Sequence, residues 1–324
     1  MRLGFHSKQL SERGSERAIF DYATVLERAY GIQPRIFIPA EATEVLPQVR
    51  ALFARRFEVV LYSRADDIDC DALYVIKRGR RSQVTTRIPE LVHAMFDPDD
   101  PHGHRFATVS RWLSTQSRRV VELPRGRDLR LPRLRKPPFV PHIVDLADVD
   151  DDLRAEIGVP PEGVVFGRHG ALRSFSIPWA REAVHEALGA RADIWFLFLN
   201  TERFVEHPRV CHLDVTTDRE LIRSFINSCD YMLHAKREGE TFGIAVAEFA
   251  AAGVPVVSCT RTIGNAHFDM VPRELMIGYG DKVELLALLR SLPRRSRTPD
   301  VAIQFRESLS PAAVGETFVR VFLT

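Results

Sequence analysis

Two glutamates, Glu240 and Glu248, stand eight positions apart in the stretch 236–258, KREGETFGIAVAEFAAAGVPVVS. Glu248 is set among Ala245, Val246, Ala247, Phe249, Ala250 and Ala251. A charge on so apolar a segment is costly unless it is partnered, so a polar partner is expected. Gly239 and Gly243 permit a tight turn and the close approach of another molecule. The residues after Gly243 suit a helix start, and the first N–H groups of a helix have no acceptor within it and can meet an anion. Gly253 fits the end of that helix, Pro255 prevents its continuation, and VPVVS reads as a buried parallel strand. One turn therefore offers two carboxylates and a row of N–H donors, a socket for a sugar joined to phosphate.

The elements that must hold this socket follow from periodicity. In the first half, short apolar runs at 2–6, 35–39, 57–62, 71–76, 91–96 and 104–110 predict strands. A helix over about 15–30 carries Ile19, Tyr22, Ala23, Leu26 and Tyr30 at the helical interval. A second series repeats the pattern: a strand running into a loop over 163–170, strands at 193–200, 209–213 and 230–235, and a helix from Pro178 to Leu188 ended by Gly189. A further helix is capped by Asp218, and one over 283–292 has Asp281 and Glu284 as a capping box. Residues 314–323 predict a closing helix. Apolar strands alternating with helices argue for mostly parallel sheets covered on both faces.

Between the two series, Arg118, Arg119, Arg125, Arg127, Arg130, Arg133, Arg135 and Lys136 are punctuated by Pro124, Pro132, Pro137, Pro138 and Pro141. Prolines at this density oppose regular structure and suit a linker. The basic run lacks interleaved aromatic residues or a recognised binding motif, which argues against nucleic acid. It would allow weak peripheral contact with anionic lipid. The expected organisation is two α/β domains, 1–140 and 141–310, with 311–324 packing back on the first. Ligands of such folds bind in a cleft at the carboxyl ends of the strands.

Composition narrows the function classes. Of 324 residues, 45% are hydrophobic and 27% charged, with a formal charge of +2, as in an ordinary globular protein. Cys70, Cys211, Cys229 and Cys259 are too widely spaced for a C-x-x-C pair or a zinc-ligand set, and read as reduced thiols of a cytoplasmic protein. No secretion segment or membrane-length apolar run is present in this sequence. The Asp-x-Asp spacings at 67–71, 97–99 and 148–150 read as solvated surface, and His93, His102 and His104 lack the neighbours of a zinc site. No metal is expected.

With these residues in place, the chain resembles the retaining glycosyltransferases of the GT-B fold, family four. The ordered set Glu240, Phe242, Gly243, Glu248, Ala251, Gly253, Pro255, Val256 and Val257 carries the resemblance. GRHGALR at 167–173 is similar to the family's Gly-Arg followed by a Lys, with Arg173 in the Lys position. ERGSER at 12–17 is similar to its first glycine loop but has only Gly14.

The resemblance implies a fold of two Rossmann-like domains facing a central cleft, and transfer of a sugar, with retention, from a UDP- or GDP-linked donor to a hydroxyl of a glycan or small acceptor. The nucleotide sugar would be a co-substrate, and neither metal nor other cofactor is implied. Glu248 would hold the ribose hydroxyls. Glu240 would bind a sugar hydroxyl and steady the oxocarbenium-like transition state, and Phe242, Gly243 and Ile244 would place amides against the sugar. Gly167 would lie at the donor, with Arg168 and Arg173 supplying positive charge to the diphosphate.

From the first half, His93 is similar in position to a family histidine that reaches the donor sugar, although a lone His on an apolar strand also suits a structural role. Gly14 and Ser15 would touch the donor phosphate or the acceptor, or form a plain turn. Lys77 and Arg78 read as solvated surface. Other activities compatible with the fold are a nucleotide-sugar epimerase, a phosphorylase or a non-catalytic binding homologue. An NAD enzyme is disfavoured because no G-x-G-x-x-G follows the first strand.

Overall fold

The computed structural model describes all residues except 12, 86, 118–120, 123–133 and 296–298. The chain divides into two compact units, Met1–Ile143 with Leu309–Thr324, and Val144–Ser308.

The first unit runs β1 (Arg2–His6), α1 (Gly14–Tyr30), β2 (Gln33–Pro39), α2 (Pro47–Ala54), β3 (Glu58–Tyr62), β4 (Ala72–Lys77), β5 (Glu90–Ala94), β6 (Arg105–Thr108) and α3 (Arg111–Gln116). Its six strands form one parallel sheet in the order β3-β2-β1-β4-β5-β6, so the winding direction reverses beside β1. In register, Phe5 of β1 lies opposite Ile36 and Tyr74. Burial on both faces explains why the inner strands read as apolar runs rather than alternating ones. α1 buries Ile19, Tyr22, Ala23 and Leu26 against the sheet and ends at Gly31, whose φ of 62° suits glycine.

The Arg/Pro-rich region predicted as a linker contains a short antiparallel ladder of β7 (Val121–Glu122) and β8 (Leu134–Arg135). Arg118, Arg119, Arg125, Arg127, Arg130 and Arg133 lie outside the described residues.

The second unit runs β9 (Val164–Arg168), α4 (Pro178–Ala190), β10 (Ile194–Leu199), β11 (Val210–Leu213), α5 (Arg219–Ser228), β12 (Tyr231–His234), β13 (Gly239–Glu240), α6 (Ile244–Ala251) and β14 (Val256–Cys259). It continues with β15 (Gly264–Asn265), α7 (Ala266–Met270), β16 (Met276–Tyr279), α8 (Lys282–Ser291) and α9 (Pro299–Ser308). Six parallel strands again form one sheet, ordered β11-β10-β9-β12-β14-β16.

Two local expectations are corrected. α4 does not stop at Leu188 but passes through Gly189 to Ala190, because Arg209 donates to the carbonyls of Leu188 (2.6 Å) and Arg191 (2.5 Å). A side chain thus satisfies the orphan carbonyls that a left-handed glycine would otherwise serve. At α8, Asp281 accepts from Glu284 N at 3.0 Å, but the Glu284 carboxylate accepts from Gly280 N at 2.6 Å, one residue before the position a capping box uses.

The last helix, α10 (Pro311–Phe318), continues as a π-helical turn over Val319–Leu323 and belongs to the first unit. Gly315 lets α10 cross α1 closely, since a Cβ there would lie 2.6 Å from Val25 Cγ1. Phe318 and Phe322 then pack their rings against Tyr22, Tyr74 and His93. Among the described residues no helix is long and apolar enough to cross a membrane.

Candidate functional site

Glycines set the position of Glu240. Gly239, with φ of 66°, lies so close to Gly264 that a Cβ would sit 1.9 Å from Gly264 O, and Gly264 in turn presses on the Glu240 backbone. Only glycine against glycine permits the two-residue parallel ladder of β13 and β15, in which Glu240 is opposite Asn265. Gly243 follows with φ of 89° as the residue before α6, and a Cβ there would meet Glu240 Cγ at 2.9 Å. The turn therefore lies against the Glu240 side chain, and the α6 amides begin at the next residue.

The carboxylate is held at both oxygens. His234 Nε2 lies 3.2 Å from Oε1, and Lys236 Nζ donates to Oε2 at 2.9 Å. Burial acts to raise the Glu240 pKa, but the hydrogen bond from His234 and the charge of Lys236 outweigh it and hold the carboxyl at about 2. Its side chain keeps 19% of its surface exposed. An ionised, partly open carboxylate has lone pairs left for a ligand hydroxyl.

Glu248 meets the polar partner that its apolar setting demands. His169, on the loop after β9, brings Nε2 to 3.1 Å from Glu248 Oε2, with the imidazole stacked on Phe249. This is a close approach rather than an aligned hydrogen bond, since His169 Nε2 makes none within the protein. Phe242 is buried, and Ile244 is half-buried at the first position of α6. Each of these residues lies in the turn or helix anticipated for it.

Arg168 and Arg173 separate into different roles. Arg168 is 3% exposed; Nη1 donates to Asn200 O and Thr201 Oγ1, and Nη2 to Ala171 O and Ser174 Oγ. The predicted phosphate fork is therefore occupied by protein oxygens, and the residue ties the 171–174 turn to the end of β10. Burial lowers its pKa to about 10, against the opposing pull of Glu240, so it remains a cation whose field reaches that carboxylate. Arg173 is exposed at the same turn and pairs with no carboxylate among the described residues. Gly167 is explained by packing: a Cβ on β9 would lie 2.1 Å from Cys229 Sγ.

The first unit gives its candidates mostly structural settings. His93 is fully buried, with Nδ1 2.6 Å from Tyr74 Oη and Nε2 3.0 Å from Val140 O. A carbonyl only accepts, so Nε2 carries the proton and Nδ1 accepts from Tyr74. Both nitrogens have partners within the protein, the setting of the structural role that a lone His on an apolar strand also suits. Burial lowers its pKa to about 4 and keeps the ring neutral.

Gly14 is exposed as the first residue of α1, and Ser15 donates at 3.0 Å to the buried carboxylate of Glu16. Ser7 and Ser11 also point hydroxyls at Glu16, whose pKa burial raises. Lys77, expected on the solvated surface, is instead buried 3.5 Å from Glu90 Oε2, while Arg78 is exposed.

Periodicity did not point to His234, Lys236, Ser258 or His267. The readable signal was the clustering of two basic side chains just before Glu240. Ser258 and His267 reach the site only through the pairing of β14 with β12. Among the described residues no group of three or more His, Cys, Asp or Glu is arranged to hold a metal ion.

No family model matches this chain, and no curated protein sequence does. Solved structures do. HepE of Anabaena, crystallised with UDP-glucose, superposes with a TM-score of 0.69 at 14% identity, over 99% of this chain and 98% of that one. A glycosyltransferase of Rickettsia africae gives 0.65 at 13% identity, covering 99% and 97%. Sucrose-phosphate synthase of Thermosynechococcus elongatus gives 0.63 at 11%, covering 100% and 98%. The likeness is one of fold. With two six-stranded parallel sheets, the chain has the GT-B glycosyltransferase architecture.

Proposed function

We propose that the protein is a retaining glycosyltransferase that moves a sugar from a nucleotide-sugar donor to a hydroxyl acceptor. The observation that carries this reading is the turn 239–248. It presents an ionised Glu240 beside the open N-terminus of α6 and a buried Glu248 on the same helix. Glu240 accepts from a sugar hydroxyl and lies ready to offset positive charge as the glycosidic bond breaks. Glu248 accepts from the ribose hydroxyls. The α6 amides and Arg173 meet the diphosphate, so the leaving group is stabilised without a metal ion. The departing phosphate takes the acceptor's proton on the same face, which preserves the anomeric configuration. The crystallisation of HepE with UDP-glucose supports a UDP-linked donor.

A thermal-shift series against nucleoside diphosphates and their sugars tests the reading. A ligand at a hundred times its Kd stabilises the native state by about 2.7 kcal/mol. UDP and a UDP-sugar are expected to raise Tm, and Arg173→Ala to weaken that shift. No shift with any nucleoside diphosphate would overturn the proposal. Product analysis of the transferred linkage then decides retention.

A further inference from the structure

Behind Glu240 a line of side chains continues into the unit. His234 Nδ1 lies 2.8 Å from Ser258 Oγ, and Ser258 Oγ lies 2.8 Å from His267 Nε2. All three are buried, on β12, β14 and α7 respectively, and their order is fixed by the parallel pairing of His234 with Ser258. His267 Nδ1, at the far end, is buried with no hydrogen-bond partner.

We propose that His234 is a positioning residue for Glu240, and that Ser258 and His267 act through it by holding its imidazole in the single Nε2–H tautomer. The inference rests on the reading of Glu240 as a site carboxylate. Its logic is a count of donors. An ionised Glu240 only accepts, so His234 Nε2 carries a hydrogen. In the neutral ring Nδ1 is then an acceptor, and the Ser258 hydroxyl donates to it. The Ser258 oxygen, having donated its only hydrogen, accepts from His267 Nε2–H.

His267 is thereby left with a bare lone pair at Nδ1, which matches its lack of a partner. Burial holds this ring neutral, with its pKa at about 3. Reversing the whole line would leave an N–H at the buried end, and an unpaired buried donor is the rarer, costlier arrangement. Every hydrogen in the line thus points toward Glu240. Lys236 supplies the other oxygen with charge, but on a flexible stem that is 25% exposed. The rigid His234 ring, braced from behind, fixes the carboxylate's orientation, as the outer partners of a metal ligand fix the ligand.

The test uses the full chain with isotope-labelled histidines. Imidazole nitrogen spectra at neutral pH are expected to show His234 and His267 each as one Nε2–H tautomer, assigned with His234→Gln and His267→Asn. Ser258→Ala removes the middle donor. It is expected to release His234 into a tautomer mixture and to lower kcat about tenfold, the effect of one hydrogen bond to a charged network, with UDP affinity unchanged. Ser258→Thr, which keeps the hydroxyl, is expected to restore both.

A Nδ1–H tautomer of His234 in the unaltered protein would overturn the inference. So would Ser258→Ala with unchanged spectra and turnover, or with UDP affinity lost in parallel. Absence of sugar transfer by the unaltered protein would instead sink the reading of function, while the spectra would still decide the tautomer.

Discussion

Glu248 Oε2 and His169 Nε2 approach to 3.1 Å with side chains only 5% and 6% exposed, so a carboxylate on α6 reaches the loop after β9 inside an otherwise apolar layer. Such a pair is a weak stabiliser, since desolvation offsets its attraction. Its value lies in aiming the carboxylate. Glu248→Gln keeps the shape and removes the charge. It should weaken UDP binding about tenfold, as for one hydrogen bond to a charged group, and shift Tm little. Titration calorimetry measures this, and unchanged affinity would remove Glu248 from the ribose site.

Glu240 makes a statement about acid stability. Its folded pKa of about 2 lies below the ordinary 4.5, so the folded state favours the ionised form. The stabilisation is complete above about 4.5 and is lost as pH falls towards 2, over a range worth roughly 3 kcal/mol. In Glu240→Gln the unfolding free energy should change less over that window. The same variant should lose two to three orders of magnitude in turnover, roughly what removing one preorganised transition-state contact costs, and retain UDP. Wild-type turnover in the variant would exclude Glu240 from the chemistry.

Gly167 separates packing from ligand binding. Gly167→Ala drives a methyl group against Cys229 Sγ and should destabilise by about 1–3 kcal/mol, the usual cost of overpacking. Adding Cys229→Ala removes that sulfur and should recover much of the loss in a denaturant titration. UDP affinity should be unaltered in both. Failure of the second change to restore stability would mean that Gly167 serves something other than this contact.

Buried histidines give the first unit a second pH dependence. Burial lowers His93 from 6.5 to about 4, lowers His142 well below its ordinary value, and with Lys8 and Lys77 lowers His6 to about 4. The folded state therefore refuses protons that the unfolded chain accepts. Stability is full above about 6.5 and falls as pH drops towards 4. Tm should decline between pH 7 and 5. His93→Asn, less stable at pH 7, should decline less steeply because one titrating ring is gone. Equal slopes would show that His93 does not contribute.

The site turn was legible because its physics is local. Gly239, Gly243, Gly253 and Pro255 each announce a backbone state, and an isolated Glu248 on an apolar helix announces a partner. What stayed hidden depends on atoms distant in the chain. Gly167 is fixed by a sulfur just past the end of α5, Arg168 by carbonyls on two loops, and His93 by Tyr74 and Val140. Residue type alone suits a ligand equally well in all three. The end of α4 is set in the same way, because Arg209, just ahead of β11, replaces a glycine signal. The line from His234 to His267 is spelled by no spacing at all; it exists only because β12 and β14 are neighbours.

The return of Leu309–Thr324 to the first unit has a consequence for synthesis. All six strands of that sheet have been made by Thr108, yet Phe318 and Phe322 reach Tyr22, Tyr74 and His93 only after the whole second unit has been translated. On the ribosome, the unit that begins first finishes last. Its aromatic core waits, partly unfilled, while the second unit has every strand it needs.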